Sequence, residues 1–123
     1  MHGPDKPVGE LIEILHHING QEWNWRVLEF YGVGEMPNDL SVDEFEDLVD
    51  SSPHGIEFDW PGILEFAGSL EQTHDLVLVA VAKGQPLPTL SQNDWSSYPC
   101  AIEALDSYEW VITTQSGALV APF

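Results

Sequence analysis

The run Leu76-Val77-Leu78-Val79-Ala80-Val81-Ala82 decides the fold of this chain. A strand with one face in water alternates apolar and polar residues, whereas this run is apolar on both faces. It is far shorter than the roughly 20 apolar residues that a membrane-spanning helix needs. We therefore predict a central strand of a sheet, covered by other parts of the chain on each side.

The chain beyond this strand is predicted to form a loop and then a β-meander. Residues 84–99 lack periodicity and contain three prolines and three serines, which indicates a long surface loop. Ala101 to Leu105 and Glu109 to Thr114 flank the turn-forming pair Asp106-Ser107, and this pattern is typical of a hairpin. Ala118 to Val120 is predicted to return as a third strand.

The chain before the central strand is predicted to contain three helices. The first is indicated by apolar residues at helical spacing, namely Val8, Leu11, Ile12, Leu15 and Ile18. A second helix is predicted from Val42 to Asp50, because Ser41 and Glu44 have the spacing of a capping box. A third follows Asp59, which suits an N-cap.

The segment from Trp23 to Tyr31 is rich in aromatic and β-branched residues and is predicted to be a strand. A short helix ended by Gly32 is the alternative, because several of its apolar residues also fit a helical stripe. Helices early and strands late predict an α+β fold, with residues 1–123 as a single domain. We expect an antiparallel or mixed sheet carrying about three helices.

The charge of the chain is its most unusual feature. It has 21 acidic residues and only three basic ones, Lys6, Arg26 and Lys83, which gives a formal net charge of −18. Such a surface repels nucleic acid and anionic lipid and attracts basic proteins. Solubility, or adaptation to a salty cytoplasm, would also explain the acidity.

The sequence further indicates a protein of the cytoplasm. The segment Met1 to Pro7 lacks an export pattern, and no apolar run is long enough to span a membrane. Cys100 is the single cysteine, so the chain can form neither an internal disulfide nor a zinc site built on several cysteines. A reducing compartment fits this composition.

We found no motif for catalysis, a cofactor or a metal, and we predict that the protein is not an enzyme. Glu57 and Asp59 are a weak candidate pair for acid–base chemistry, since Asp59 is better explained as a helix cap. Cys100 has no cysteine-protease signature around it and is interpreted as a structural thiol. Four histidines are interpreted as structural or solvated, namely His16, His17, His54 and His74.

The predicted second helix carries the strongest functional signal. This helix and the residues just before it, 39–50, contain many acidic residues and no basic one. The predicted partner-binding carboxylates are Asp39, Asp43, Glu46, Asp47 and Asp50. Like charges four residues apart destabilise a helix by about 0.2–0.5 kcal/mol per pair, so this face suits the lysines and arginines of another molecule. Phe45, Leu48 and Val49 are predicted to form its inner face.

Trp95 is the remaining predicted partner-binding residue. It lies in a polar loop between Asp94 and Ser96, where a large aromatic residue is hard to bury and resembles an interface hot spot. The alternative is that it folds back to cover the edge of the sheet.

These observations predict a small acidic binding protein. The leading hypothesis is an immunity or inhibitor protein, a monomer or a homodimer, that neutralises a basic toxin such as a nuclease by presenting carboxylates in place of phosphates. The alternatives are an acidic chaperone for a secreted basic protein, a domain from a salt-adapted organism, and an enzyme that uses Glu57, Asp59 or a histidine.

Overall fold

The computed structural model describes residues 11–18, 21–92, 94–105, 109–114 and 117–120. Their helices, in chain order, are α1 (Leu11–His16), α2 (Val42–Asp50) and α3 (Trp60–Gly68). Their strands are β1 (Asn24–Gly34), β2 (Ile56–Phe58), β3 (Leu70–Val81), β4 (Cys100–Leu105), β5 (Glu109–Thr114) and β6 (Gly117–Val120). Two short 3-10 helices are Pro37–Asp39 and Leu90–Gln92. Val8, predicted in the first helix, and the turn Asp106-Ser107 lie outside the described residues.

The described strands form one sheet in the order β2-β1-β3-β4-β5-β6, and every neighbouring pair is antiparallel. The predicted α+β class is therefore confirmed, and the sheet is antiparallel rather than mixed. The predicted C-terminal meander is confirmed as β4, β5 and β6.

The predicted two-sided burial of the central strand is confirmed in β3. Leu76, Leu78 and Ala80 belong to the main core, which contains the inner faces of the three helices. Val77, Val79 and Val81 point to the opposite face and belong to a second, smaller apolar cluster with Trp95 and Tyr98. Each face of the strand is thus covered by a different part of the chain.

The segment that begins near Trp23 is a strand, as predicted, and the helical alternative is wrong. Strand β1 pairs with β3 along nearly its whole length but with β2 only from Trp25 to Val27. Its pairing with β3 is interrupted by irregularities, the first between Val27 and Glu29. Such bulges bend a strand and re-aim its side chains.

The helix ends agree with the predicted caps. The Ser41 hydroxyl accepts from the Glu44 N–H over 3.1 Å, and the Glu44 carboxylate accepts from the Ser41 N–H over 2.8 Å. These two bonds satisfy backbone donors that the first turn of α2 leaves unpaired. The Asp59 carboxylate likewise caps α3 by accepting from the Gly62 N–H over 2.8 Å.

Gly55 makes the turn that leads from α2 into β2. Its φ is +71°, and a Cβ atom at this position would lie 2.3 Å from the carbonyl oxygen of Val27. A side chain here would therefore be both strained and in collision with β1. Glycine allows β2 to approach β1 closely enough to pair with it.

Candidate partner-binding surface

Helix α2 packs by one side and presents carboxylates on the other. Phe45 and Val49 are buried in the main core. Asp43, Asp47 and Asp50 are exposed, and their spacing of four and then three residues places them on one stripe of the helix. The predicted outward orientation of these three carboxylates is confirmed.

Two residues of α2 depart from the predicted arrangement. Leu48, predicted on the inner face, is 43% exposed, whereas Val42, Phe45 and Val49 pack toward the core. Glu46, predicted to look outward, is half-buried, and its carboxylate accepts a hydrogen bond from the Gly32 N–H over 3.4 Å. Glu46 therefore links α2 to β1 and is poorly placed to contact a partner.

Asp39 lies close to the start of α2. It ends the 3-10 helix Pro37–Asp39, two residues before the Ser41 cap, and is exposed. Asn38 and Asp39 both adopt left-handed backbone conformations, with φ of 58° and 60°; asparagine and aspartate tolerate this region better than most residues. We call Asp39, Asp43, Asp47 and Asp50 together the acidic surface.

Trp95 does not extend this surface. It is only 5% exposed and packs in the second apolar cluster on the face of β3 that carries Val77, Val79 and Val81. Its ring lies 6.4 Å from that of Tyr98. The prediction that Trp95 is exposed is therefore wrong. The loop folds back over the sheet, and Trp95 is buried against the apolar face of β3 although its neighbours in sequence are polar.

Hydrogen bonds hold this covering loop in place. The Gln85 side chain accepts from the Ala82 N–H over 3.0 Å and donates to the Ser97 carbonyl over 2.6 Å. The Tyr98 hydroxyl donates to the Pro86 carbonyl over 3.0 Å. Asp94 accepts from the Ser96 N–H over 3.0 Å, and hydrogen bonding by Ser96 lowers the pKa of the Asp94 carboxyl.

The candidates for acid–base chemistry have other roles. The Asp59 carboxylate caps α3, while Glu57 lies 3.7 Å from the guanidinium of Arg26. Nδ1 of His54 lies 3.1 Å from the Pro88 carbonyl oxygen, which can only accept, so this nitrogen carries the proton. Burial raises the pKa of the Cys100 thiol to about 11, well away from that of a reactive thiolate.

A second group of carboxylates lies on the face of the sheet that carries the smaller cluster. Partial burial, followed by the charges of Asp75, Asp50 and Glu103, raises the pKa of the Glu29 carboxyl. Within the described part of the chain, no three His, Cys, Asp or Glu side chains are grouped so as to hold a metal ion. The raised pKa of Glu29 thus reflects burial first and repulsion by neighbouring carboxylates second.

Comparisons of the chain with protein-family models, with curated proteins and with solved structures found no match. Among the described residues, no helix has the length and apolar content needed to cross a membrane.

Leu48 is the surface residue that the sequence pattern assigned wrongly. Its exposed side chain points about 100° around the helix from that of Asp47, so α2 presents an apolar group to one side of its stripe of aspartates. Helical spacing is compatible with either orientation, because residues three and four positions from Phe45 both lie near its stripe. A slight rotation of the helix decides between them.

Proposed function

We propose that this protein is an inhibitor, of the immunity-protein type, that binds a basic protein through its acidic surface. The observation that carries the proposal is the stripe of Asp43, Asp47 and Asp50 on the outside of α2. No ion pair joins these carboxylates to a basic side chain within the described residues. They are available to the lysines and arginines of another molecule.

The electrostatics support a basic protein as the partner. A net charge of −18 repels nucleic acid and accelerates encounter with a positively charged protein. A nuclease suits this description, because the basic residues of its active site bind the phosphates of the substrate. A row of carboxylates can bind the same basic residues. The lone, buried thiol of Cys100 is compatible with a reducing cytoplasm.

Leu48 adds an apolar contact to this proposed interface. Charge complementarity alone mainly raises the association rate, whereas desolvated apolar anchors slow dissociation. Leu48 supplies such an anchor, because it is exposed on the same helix, about 100° around the helix axis from Asp47. The surface therefore combines long-range attraction with a short-range contact.

The test begins with capture of the partner from the cells that carry this gene, and we expect a basic protein encoded beside it. Association kinetics are then measured for the native chain and for the variant Asp43→Asn, Asp47→Asn, Asp50→Asn. The variant is expected to associate about tenfold more slowly at low salt, and this difference should shrink at high salt, where exposed charges are screened.

A matched control separates the acidic surface from net charge. The variant Glu13→Gln, Glu22→Gln, Glu71→Gln also loses three negative charges, all at exposed positions outside the acidic surface, and is expected to associate nearly as fast as the native chain. Equal rates for the two variants, or an acidic captured partner, would overturn the proposal. A complex that is indifferent to salt would instead favour the acidic chaperone, which holds its ligand in an apolar groove.

A further inference from the structure

An open groove of about 420 Å³ lies between the end of β1 and α3. This volume is within the range of sites that hold small ligands. Its apolar floor is formed by Met36, Phe58 and Phe66. Its acidic rim is formed by Glu35, Asp39 and Glu65. The groove thus offers two kinds of contact in one place.

The floor of the groove is aromatic. The rings of Phe58 and Phe66 are stacked, with centroids 5.3 Å apart and planes 28° apart. Phe66 is buried in the main core, whereas Phe58 is half-buried and packs against it. The faces of aromatic rings attract cations, most often the guanidinium of arginine.

The rim of the groove is negatively charged. Glu35, Asp39 and Glu65 are exposed, and no ion pair involves them within the described residues. An anionic ligand would be repelled by these groups, and an uncharged one would gain no charge–charge attraction from them. A ligand that carries both a flat apolar surface and a positive charge matches the whole lining.

The wall between rim and floor is held by hydrogen bonds within the chain. The Ser69 hydroxyl donates to the Glu35 carbonyl over 2.7 Å, and the Glu35 N–H donates to the Ser69 carbonyl over 3.2 Å. These bonds join the segment after β1 to the end of α3. The groove is therefore formed before any ligand arrives, which lowers the entropic cost of binding.

We propose that this groove receives one arginine side chain of the basic partner, an inference that rests on the proposed function. The guanidinium is planar and weakly hydrated, so it can stack on Phe58 and still meet carboxylates, whereas the ammonium of lysine is compact and strongly hydrated. Asp39 belongs to both the groove and the acidic surface. The two sites therefore form one continuous interface, with the groove as its specific part.

The experiment uses the tripeptide acetyl-Gly-Arg-Gly-amide and two analogues, in which lysine or the neutral arginine isostere citrulline replaces arginine. Each peptide is titrated into isotopically labelled protein and followed by backbone amide shifts. The arginine peptide is expected to give saturable shifts at Met36, Asp39 and Gly62. The citrulline peptide should bind about tenfold more weakly, since the cation–π and charge-assisted contacts are lost.

Variants locate the contact within the groove. Asp39→Asn with Glu65→Gln should weaken binding of the arginine peptide several-fold, and Phe58→Leu should also weaken it while leaving the carboxylates in place. The control Glu13→Gln with Glu22→Gln removes equal charge at exposed positions outside both the groove and the acidic surface and should leave peptide affinity nearly unchanged. The amide spectra themselves show whether each variant remains folded.

The outcomes separate the groove from the proposed function. Equal binding of the citrulline or lysine peptide, or arginine-peptide shifts confined to α2, would overturn the arginine groove. Because the peptide assay contains no partner protein, it is independent of the association kinetics of the Asp43, Asp47 and Asp50 variant. That variant tests the inhibitor proposal without altering the groove lining.

Discussion

The carboxylate of Glu46 accepts a hydrogen bond from the backbone N–H of Gly32 over 3.4 Å, and so joins α2 to β1 at an edge where β2 no longer pairs. Unpaired strand edges invite pairing with other chains, and covering them prevents it. One acidic residue of α2 thus serves the fold, while its neighbours Asp43 and Asp47 face solvent.

Replacement of Glu46 tests this role. Glu46→Ala removes the acceptor from Gly32 and should lower the free energy of unfolding by about 1 kcal/mol, whereas Glu46→Gln retains an acceptor oxygen and should cost less. Asp47→Asn, at an exposed position, is the control and should change stability little. Urea denaturation followed by circular dichroism measures the three values; a Glu46→Ala protein as stable as the native one would contradict the link.

Val79 tests the two-sided burial of β3. It is fully buried, so Val79→Asp places an unpaired carboxylate in the second cluster and should cost at least about 4 kcal/mol, enough to unfold many domains of this size. Val33→Asp makes the same change where the side chain is 43% exposed and should be tolerated. A cooperatively folded Val79→Asp protein with a native melting temperature would show that the assigned strand burial is wrong.

Trp95 is expected to contribute to stability rather than to partner contact. Trp95→Ala should destabilise the fold by about 3–5 kcal/mol, because it opens a cavity against β3. Leu87→Ala, which shortens an exposed residue of the same loop, should have little effect. Thermal denaturation distinguishes them, and near-equal melting temperatures would restore Trp95 as a candidate surface residue.

Cys100 should be chemically inert in the folded protein. With its pKa raised to about 11 by burial, roughly one thiol in a thousand is ionised at pH 8. Ellman's reagent should therefore react far more slowly with the native chain than with the chain in urea, where the thiol regains its ordinary pKa and full access. Comparable rates in the two conditions would indicate an exposed, reactive thiol.

Glu29 should make the fold less stable as pH rises. Its folded-state pKa is raised by burial and by Asp75, Asp50 and Glu103, so between the unfolded pKa near 4.5 and the higher folded value the native state holds more protons than the unfolded one. The free energy of unfolding falls with pH across that window. Glu29→Gln should therefore raise the melting temperature at pH 7 but hardly at pH 4. An equal effect at both values would contradict this cause.

Local patterns predicted most of the fold because they depend on neighbouring residues. The apolar run of β3 requires two covered faces, and the Ser41 and Glu44 spacing requires a helix start, whatever the rest of the chain does. For the segment from Trp23 to Tyr31 the sequence predicts a strand but leaves a helix as the alternative, because several of its apolar residues also fit a helical stripe. Pairing with β3 decides for the strand.

The candidate site was predicted only in part, because exposure depends on distant segments. The sequence by itself determined that α2 is acidic and that its carboxylates lack local counter-charges. Tertiary packing decided that Glu46 meets Gly32, that Leu48 turns to solvent and that Trp95 is covered. Tertiary packing also decided that Glu35, Asp39 and Glu65 line the same groove as Phe58 and Phe66. Only the packing of α3 against the end of β1 brings these segments together.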